Sequence, residues 1–425
     1  MAMVSADDYL REVLAATPTL PARAFRAGAS GWLAGGDEAA RPGWLAADAE
    51  GRLPVPPQDN AALDGFLVRA ADLDADGPVT LSVRGEAPAG GRPARPGPGE
   101  AARITTGGPV PEPSEGLVVV PVEDTDAPRG TYLPLPEAVT IPHPDASRPA
   151  IRRRGEQLAE GVTAAKAGTR LDAAAAAGLV SAGIDEVLAH PLPRVAIVTT
   201  GDETAPGAEA GPGAVPNSNG PMLELAIGEA GLASRAARFH APDDPEALRR
   251  VLDEAAAGFD VVLTAGGISA GNRDVVRALG EDTGRLSFRR AGLRPGGPQG
   301  HGHWPVPGGR QEARVVCLPG NPVAAWVSFQ LFARPALAAA AGGPRPSSIL
   351  ERPRCRLRVP GGLPRPWEGL RALPVAIDWV SGEVRPGRRA AHFVASLPGA
   401  GGIAIVADEP VGDGGEATVL LTGRG

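Results

Sequence analysis

The 425-residue chain reads as a multidomain α/β protein, and three observations predict it. From residue 193 to about 340, short apolar runs alternate with amphipathic stretches, the pattern of a largely parallel sheet with helices on its faces. Residues 60–145 are rich in Gly and Pro and carry short β-type runs (79–83, 102–105, 117–122) with little helical periodicity. Beyond a Gly/Pro linker at 342–347, the last stretch to residue 422 is again β-rich. A chain this long exceeds what one hydrophobic core covers, so several domains are expected.

Taken in order, residues 5–16 have the spacing of an amphipathic helix. Residues 20–52 read as loop and short strand, followed by the β-rich stretch. A basic run, Ile151-Arg-Arg-Arg-Gly-Glu156, then leads to a short strand and a helix near 172–182. Strands are predicted near 194–199, 235–240, 259–264, 285–290 and 313–318, with helices near 219–230, 245–257 and 273–280. Asp243-Asp244-Pro245 is a good helix start, with an acidic cap and proline in the first turn. After Leu318-Pro-Gly-Asn-Pro322 a longer helix runs to about 340.

Composition narrows the partners. Net charge is 42 − 49 = −7 and the isoelectric point is near 5.5, which argues against nucleic acid. Lys166 is the only lysine, so arginine carries nearly all the positive charge. Cys317 and Cys355 are too few for a disulfide framework or a thiolate metal site, and a cytoplasmic location is expected. Cys317 lies in an apolar run and should be a buried structural thiol. Asp7, Asp8 and Arg11 interrupt the N-terminus before any signal-peptide core could form. No segment approaches the ~18–20 uninterrupted apolar residues of a membrane span, so no membrane partner is expected.

Two stretches look like halves of one anion site. Val195-Ala-Ile-Val-Thr-Thr-Gly-Asp-Glu203 runs from an apolar strand into a loop ending in two carboxylates. A second strand runs into Gly266-Gly-Ile-Ser-Ala-Gly271 and then Asp274. Glycine lets backbone N–H groups approach a phosphate, and a helix N-terminus adds favourable partial charge. Gly266, Gly267, Ser269 and Gly271 would provide a backbone nest plus a hydroxyl. Taken alone, Gly-Gly-x-Ser is an ordinary tight turn. Asp274 and Glu203 change that reading, because carboxylates beside such a loop make sense if a divalent cation bridges them to phosphate. The histidines show no metal-ligand spacing, and His301-Gly-His303 reads as a pair of solvated loop residues.

Six motifs together resemble the MoeA family, the molybdopterin molybdenumtransferases that also form the E-domain of gephyrin. They are Pro57-Gln-Asp-Asn-Ala-Ala-Leu-Asp64, Arg103-Ile-Thr-Thr-Gly-Gly108, Ile151-Arg-Arg-Arg-Gly-Glu156, Thr199-Thr-Gly-Asp-Glu203, Gly266-Gly-Ile-Ser-Ala-Gly271 with Asp274, and Leu318-Pro-Gly-Asn-Pro322. They occur in the family's order, and the resemblance covers the chain from about residue 7 to 422. The resemblance implies an elongated homodimer of four-domain subunits. Residues 7–42 with 145–176 would form an extended N-terminal domain and 43–144 a β-rich domain. Residues 177–340 would form a three-layer α/β domain of molybdopterin-binding type, and 341–425 a β-barrel-like C-terminal domain.

The implied activity is insertion of molybdate into adenylylated molybdopterin, with release of AMP and dependence on Mg2+. The product would pass to molybdoenzymes or other proteins of cofactor biosynthesis. Glu203 and Asp274, with Asn217, would hold the cation. Gly266, Gly267, Ser269, Gly271, Pro319, Gly320, Asn321 and Pro322 would bind the pterin-phosphate end, and Arg294 the oxyanion. Thr106 and Gly107 become candidate ligand contacts. Asp59 and Asp64 become functional carboxylates, Asp59 as a catalytic or metal-shell group, in a loop placed at the subunit interface. Arg152, Arg153 and Arg154 become an interdomain or substrate-proximal element.

The chain also departs from the family. Asn217 stands where an acidic residue is usual, which should weaken metal binding. Gly297 stands where a second lysine is usual, which removes a cation that could hold molybdate or phosphate. These losses leave a second reading open, a catalytically weakened paralogue that binds or carries molybdopterin or the molybdenum cofactor.

Overall fold

The computed structural model describes residues 2–28, 31–34, 40–130, 133–205, 213–269, 271, 274–309, 311–365, 369–387, 393–407 and 409–423. The chain divides into two compact units, residues 1–47 with 168–171 and 186–425, and residues 48–167 with 172–185.

The first unit is built on a seven-stranded sheet. Its strand order is Met3–Val4, Leu286–Ala291, Pro298–Pro305, Glu312–Leu318, Val261–Ala265, Arg194–Thr200, Arg235–Ala241. The last four of these run parallel. Their sequences explain why they are central. Val261–Ala265 is buried at every position and Arg194–Thr200 and Glu312–Leu318 at all but the first, as parallel strands covered on both faces require. Alternate residues feed opposite faces: Val195, Ile197, Leu263 and Val316 join one core, and Ala196, Val198, Val262 and Val315 the other. Helices α1 (Ala6–Ala15) and α2 (Asn219–Ala230), with the helical run Pro322–Ala340, cover the first face. Helices α3 (Pro245–Gly258) and α4 (Val275–Thr283) cover the second. This is the three-layer arrangement that the alternating pattern predicts.

Local signals set the helix starts. Asp244 Oδ1 accepts from the N–H of Ala247 and Pro245 follows it, while Ser5 accepts from the N–H of Asp8 at the head of α1. The run Pro322–Ala340 begins at a capping Asn321 and passes through a π-helical stretch at Phe329–Ala333. Among the described residues it is the one helix long and apolar enough to cross a membrane, and 83% of its apolar 18-residue window is buried inside the fold.

One prediction is corrected. His301-Gly-His303 is not a solvated loop but part of the strand Pro298–Pro305, paired with Leu286–Ala291 and Glu312–Leu318. The glycines are there because neighbours press on them. A Cβ at Gly302 would lie 2.1 Å from the Arg285 carbonyl, and one at Gly300 would strike the Phe288 ring. His301 is buried, and burial, with Arg314 and Arg289 nearby, pushes its pKa down to about 4. His392 lies outside the described residues.

Two further sheets belong to this unit. Strands Gly31–Ala34, Arg23–Gly28, Glu186–Pro191 and Pro42–Leu45 form one. In the other, Leu370–Asp378, Glu383–Pro386, Arg354–Arg358, Glu416–Leu421 and Gly402–Val406 each pair with two neighbours, so the sheet closes into a small barrel. Leu293–Arg294 adds to its outside.

The second unit holds a five-stranded sheet in the order Leu117–Pro121, Gly65–Arg69, Glu100–Ile104, Val79–Ala87, Ala138–Ile141. Ile151–Arg152 pairs with Asn60–Ala61 and Thr163–Ala165 with Ala49–Glu50. Its helix, Ala173–Ser181, is capped by Asp172, which accepts from the N–H of Ala175.

Candidate active site

At the carboxyl ends of the central strands of the first unit lie two cavities, of about 460 and 480 Å³, that share Gly267, Asp274 and Gly320. Ligands of open α/β sheets bind in this position. All the expected binding residues of this unit line one or both. Glu203, Asn217, Gly266, Gly271 and Pro322 line the first cavity, and Ser269, Arg294, Pro319 and Asn321 the second.

Each is placed by its local backbone. Gly266 (φ +106°) and Gly267 (φ +66°) turn the chain sharply after Val261–Ala265. A side chain at Gly266 would meet Thr200 Oγ1 at 2.8 Å, so only glycine lets the two strand ends approach this closely. The Gly266 N–H donates to the Leu318 carbonyl at 3.1 Å. The N–H groups of Gly267, Ile268 and Ser269 have no internal acceptor among the described residues. Those three successive donors are what an anion-binding nest requires, in the loop where the sequence pointed to the glycines. Asp274 accepts from the N–H of Gly271 at 2.5 Å, which closes the loop just before α4. Asn321 caps the next helix through bonds of 3.1 Å from the N–H groups of Val323 and Ala324.

Asn217 is held by local structure. Its Nδ2 donates to Thr199 Oγ1 at 2.8 Å, and its Oδ1 accepts from the N–H of Gly220 at 3.2 Å in the first turn of α2. Asn219, not anticipated, donates to the Gly320 carbonyl at 2.8 Å and ties α2 to the Leu318–Pro322 loop. Its Oδ1 is buried without a partner.

Two further residues escaped the sequence reading. Asp243 lines the first cavity beside Glu203 and Asp274. Its backbone N–H bonds Asp202 Oδ1 at 3.0 Å, which joins the turn before α3 to the end of Arg194–Thr200. Its Asp-Asp-Pro context was understood only as a helix cap, a role that belongs to Asp244. Arg371 comes from the barrel, where the parallel register sets it opposite Arg294. Burial, and then the charge of Arg294, hold its pKa below the usual arginine value.

The two cavities therefore differ in polarity. Glu203, Asp243 and Asp274 line the first, with no lysine or arginine among its lining residues. Arg294 lines the second together with the shared Asp274, and Arg371 stands opposite Arg294 in the register without being among the lining residues. The first calls for a cation, and the second adds a guanidinium that an anion can meet.

Asp59, Asp64, Thr106 and Gly107 lie in the second unit. Asp59 is 8% exposed. Its Oδ2 accepts from Ser114 Oγ and from Arg153 Nη1, and its Oδ1 accepts from the N–H of Arg154 at 2.7 Å. Burial raises its pKa, but the bonds from Ser114, Arg154 and Arg153 outweigh it and hold the carboxyl below its usual range. Asp64 Oδ1 accepts from both the N–H and the Oγ1 of Thr106, at 2.6 and 2.8 Å, and those bonds lower its pKa. Both carboxylates thus bind their own unit.

Comparison with known proteins agrees with this geometry. Residues 5–183 match the family described as the MoeA N-terminal region, domains I and II, and residues 196–339 match the probable molybdopterin binding domain. The chain is 38% identical over 315 residues to molybdopterin molybdenumtransferase 2 of Mycobacterium tuberculosis, covering 71% of this chain and 73% of that protein. It is 32% identical over 347 residues to the molybdopterin molybdenumtransferase of Synechococcus elongatus, covering 79% and 82%. The molybdopterin biosynthesis MoeA protein of Pyrococcus horikoshii superposes with a TM-score of 0.70 at 26% identity, over 99% of each chain.

Proposed function

The chain belongs to the molybdopterin molybdenumtransferase family, and from that premise we propose that it inserts molybdate into adenylylated molybdopterin and releases AMP. The observation that carries this reading is the joining of a cavity lined by Glu203, Asp243 and Asp274 to one that adds Arg294. A pyrophosphate with its cation suits the acidic one, and an oxyanion suits the one beside Arg294 and Arg371.

The donors of the acidic cavity fit Mg2+. Glu203, Asp243, Asp274 and the Asn217 carbonyl offer only oxygen, as a hard cation prefers. Among the described residues no three His, Cys, Asp or Glu side chains converge into a metal site by themselves. That also suits Mg2+, which is usually held by one or two carboxylates together with substrate phosphates and water. Bound there, it would supply Lewis acidity at the leaving phosphate oxygen.

The chain's own residues do the rest. The N–H groups of Gly267, Ile268 and Ser269 hold phosphate oxygens without desolvating a side chain. Asn321 and Pro322 fix the wall against which the pterin-phosphate end rests. Arg294 and Arg371 hold molybdate near the shared wall at Gly267 and Gly320, so that both substrates meet in one orientation. Asp59 acts as a positioning residue for the Arg153–Arg154 turn. We further propose that the enzyme works as a homodimer.

Purified protein incubated with adenylylated molybdopterin and Mg2+ tests this function. AMP release that depends on molybdate supports it. Tight binding without release would support the carrier reading, and neither binding nor release would refute both.

A further inference from the structure

One buried amide ties together two of the segments that line the second cavity. Gln299 lies in the strand Pro298–Pro305, just beyond the Arg294-Pro-Gly-Gly loop, and is 0% exposed. Its Nε2 donates to the Gly296 carbonyl at 2.7 Å and to Ser328 Oγ at 2.6 Å. A carbonyl can only accept, so the Gly296 bond fixes which way the amide points. Ser328, also 0% exposed, lies in the helical run that opens at Asn321. Arg294, Pro295 and Gly296 line the cavity from the loop, and Asn321 and Ala324 from the helix and its cap. Gln299 and Ser328 are not among the lining residues, so they would act on a ligand through these neighbours.

The junction is tight. Gly296 has φ +100°, and a Cβ there would lie 2.8 Å from Ser328 Oγ and 3.3 Å from Gln299 Nε2. Loop backbone and helix therefore meet with no room for a side chain between them. The Ala291 N–H, donating to the Gly297 carbonyl at 2.8 Å, holds the far end of the loop. The amide also carries a cost that packing alone does not explain. Gln299 Oε1 is buried without a partner among the described residues, and an orphaned buried acceptor destabilises a fold. Methionine fills a similar volume with a soft thioether that needs no such partner. A glutamine makes sense at this place if its two donated bonds serve more than stability.

We propose, resting on the reading of the second cavity as the molybdate end, that Gln299 with Ser328 is a positioning residue for the bound oxyanion. The pair fixes the spacing between the Arg294–Gly296 loop and the Asn321–Ala324 turn, and so sets where Arg294 presents its charge. Without the amide, the Gly296 carbonyl loses its side-chain donor and the loop can move off the helix. The phosphate end is built on a separate loop, Gly267, Ile268 and Ser269, and should be unaffected.

The test is calorimetric titration of the full-length protein with molybdate, and separately with AMP and Mg2+, for the wild type and for Gln299→Met. The substitution conserves volume, so the melting temperature should move by no more than a few degrees. Molybdate affinity should fall about ten-fold, the order of one hydrogen-bonded contact, with AMP affinity unchanged. In turnover the KM for molybdate should rise while kcat is retained. Should that variant not fold, Ser328→Ala removes one of the two bonds and should weaken molybdate several-fold. Unchanged molybdate affinity in the folded variant, or equal losses for molybdate and AMP, would overturn the proposal. Wild-type protein that binds no molybdate would instead refute the assignment of the oxyanion to the second cavity, and the role of Gln299 with it.

Discussion

Asp243 brings a third carboxylate to a cavity in which Asn217 offers a neutral carbonyl, and the part of each in cation binding is testable at the residue. Removing its charge with Asp243→Asn should raise the Mg2+ concentration for half-maximal AMP release about ten-fold, a loss of about 1.4 kcal/mol. Asn217→Asp should lower that concentration several-fold, because the Gly220 N–H can still donate to its side chain and the Thr199 hydroxyl can turn from the Phe239 carbonyl to donate to it. No shift in either variant would remove the carboxylates from cation binding. Gly297→Lys is sterically open, since a Cβ there meets nothing closer than 3.7 Å, and it should lower the KM for molybdate. Asp59 makes a different prediction. Its folded pKa lies below its ordinary value, so its stabilisation is present above that ordinary value and is lost as pH falls through the folded one. Asp59→Asn should therefore cost roughly 2 kcal/mol at neutral pH and flatten the acid limb of the unfolding curve. His301 acts in a higher window. Its pKa is depressed to about 4, so stability falls between pH 6.5 and 4, by an order of 3 kcal/mol, and His301→Gln should remove that slope.

Elements show what the sequence could and could not convey. The strands and helices from 194 to 340 were legible because their apolar periodicity and caps are local, as at Asp244 and Pro245. The strand Pro298–Pro305 was not, because two glycines and two histidines hide its alternation. What requires the glycines is the approach of Arg285 and Phe288 from another strand, which no local pattern shows. Gly302→Ala should consequently destabilise the protein by about 3 kcal/mol or more, as overpacking against backbone does, measurable as a large drop in melting temperature. The Gly266–Gly271 loop and the Leu318–Pro322 turn were legible as motifs, but their partners were not. Arg371 enters only through the register between Leu293–Arg294 and Leu370–Asp378, a pairing across 77 positions. Asn321→Ala should cost about 1 kcal/mol as a lost cap, and it should also weaken binding of the pterin substrate.

At the scale of the whole molecule, the two units divide the expected roles. The first unit contains both joined cavities, and the second contains the Asp59 and Asp64 networks. Six ordered motifs made the family legible from the sequence, since only a shared fold explains their order. The polarity of the site was less legible, because Asp243, Asn219 and Arg371 join it through tertiary contacts. The proposed homodimer predicts a light-scattering mass near 2 × 43.1 = 86.2 kDa, and a mass of 43.1 kDa would contradict it. The central claim is that the cavity lined by Glu203, Asp243 and Asp274 holds a phosphate-bound cation. Anomalous diffraction from crystals grown with AMP and Mn2+ tests it most directly. The account predicts one manganese peak bonded to a phosphate oxygen and to at least one of those three carboxylates, whereas AMP bound there without manganese, or manganese elsewhere in the molecule, would contradict it.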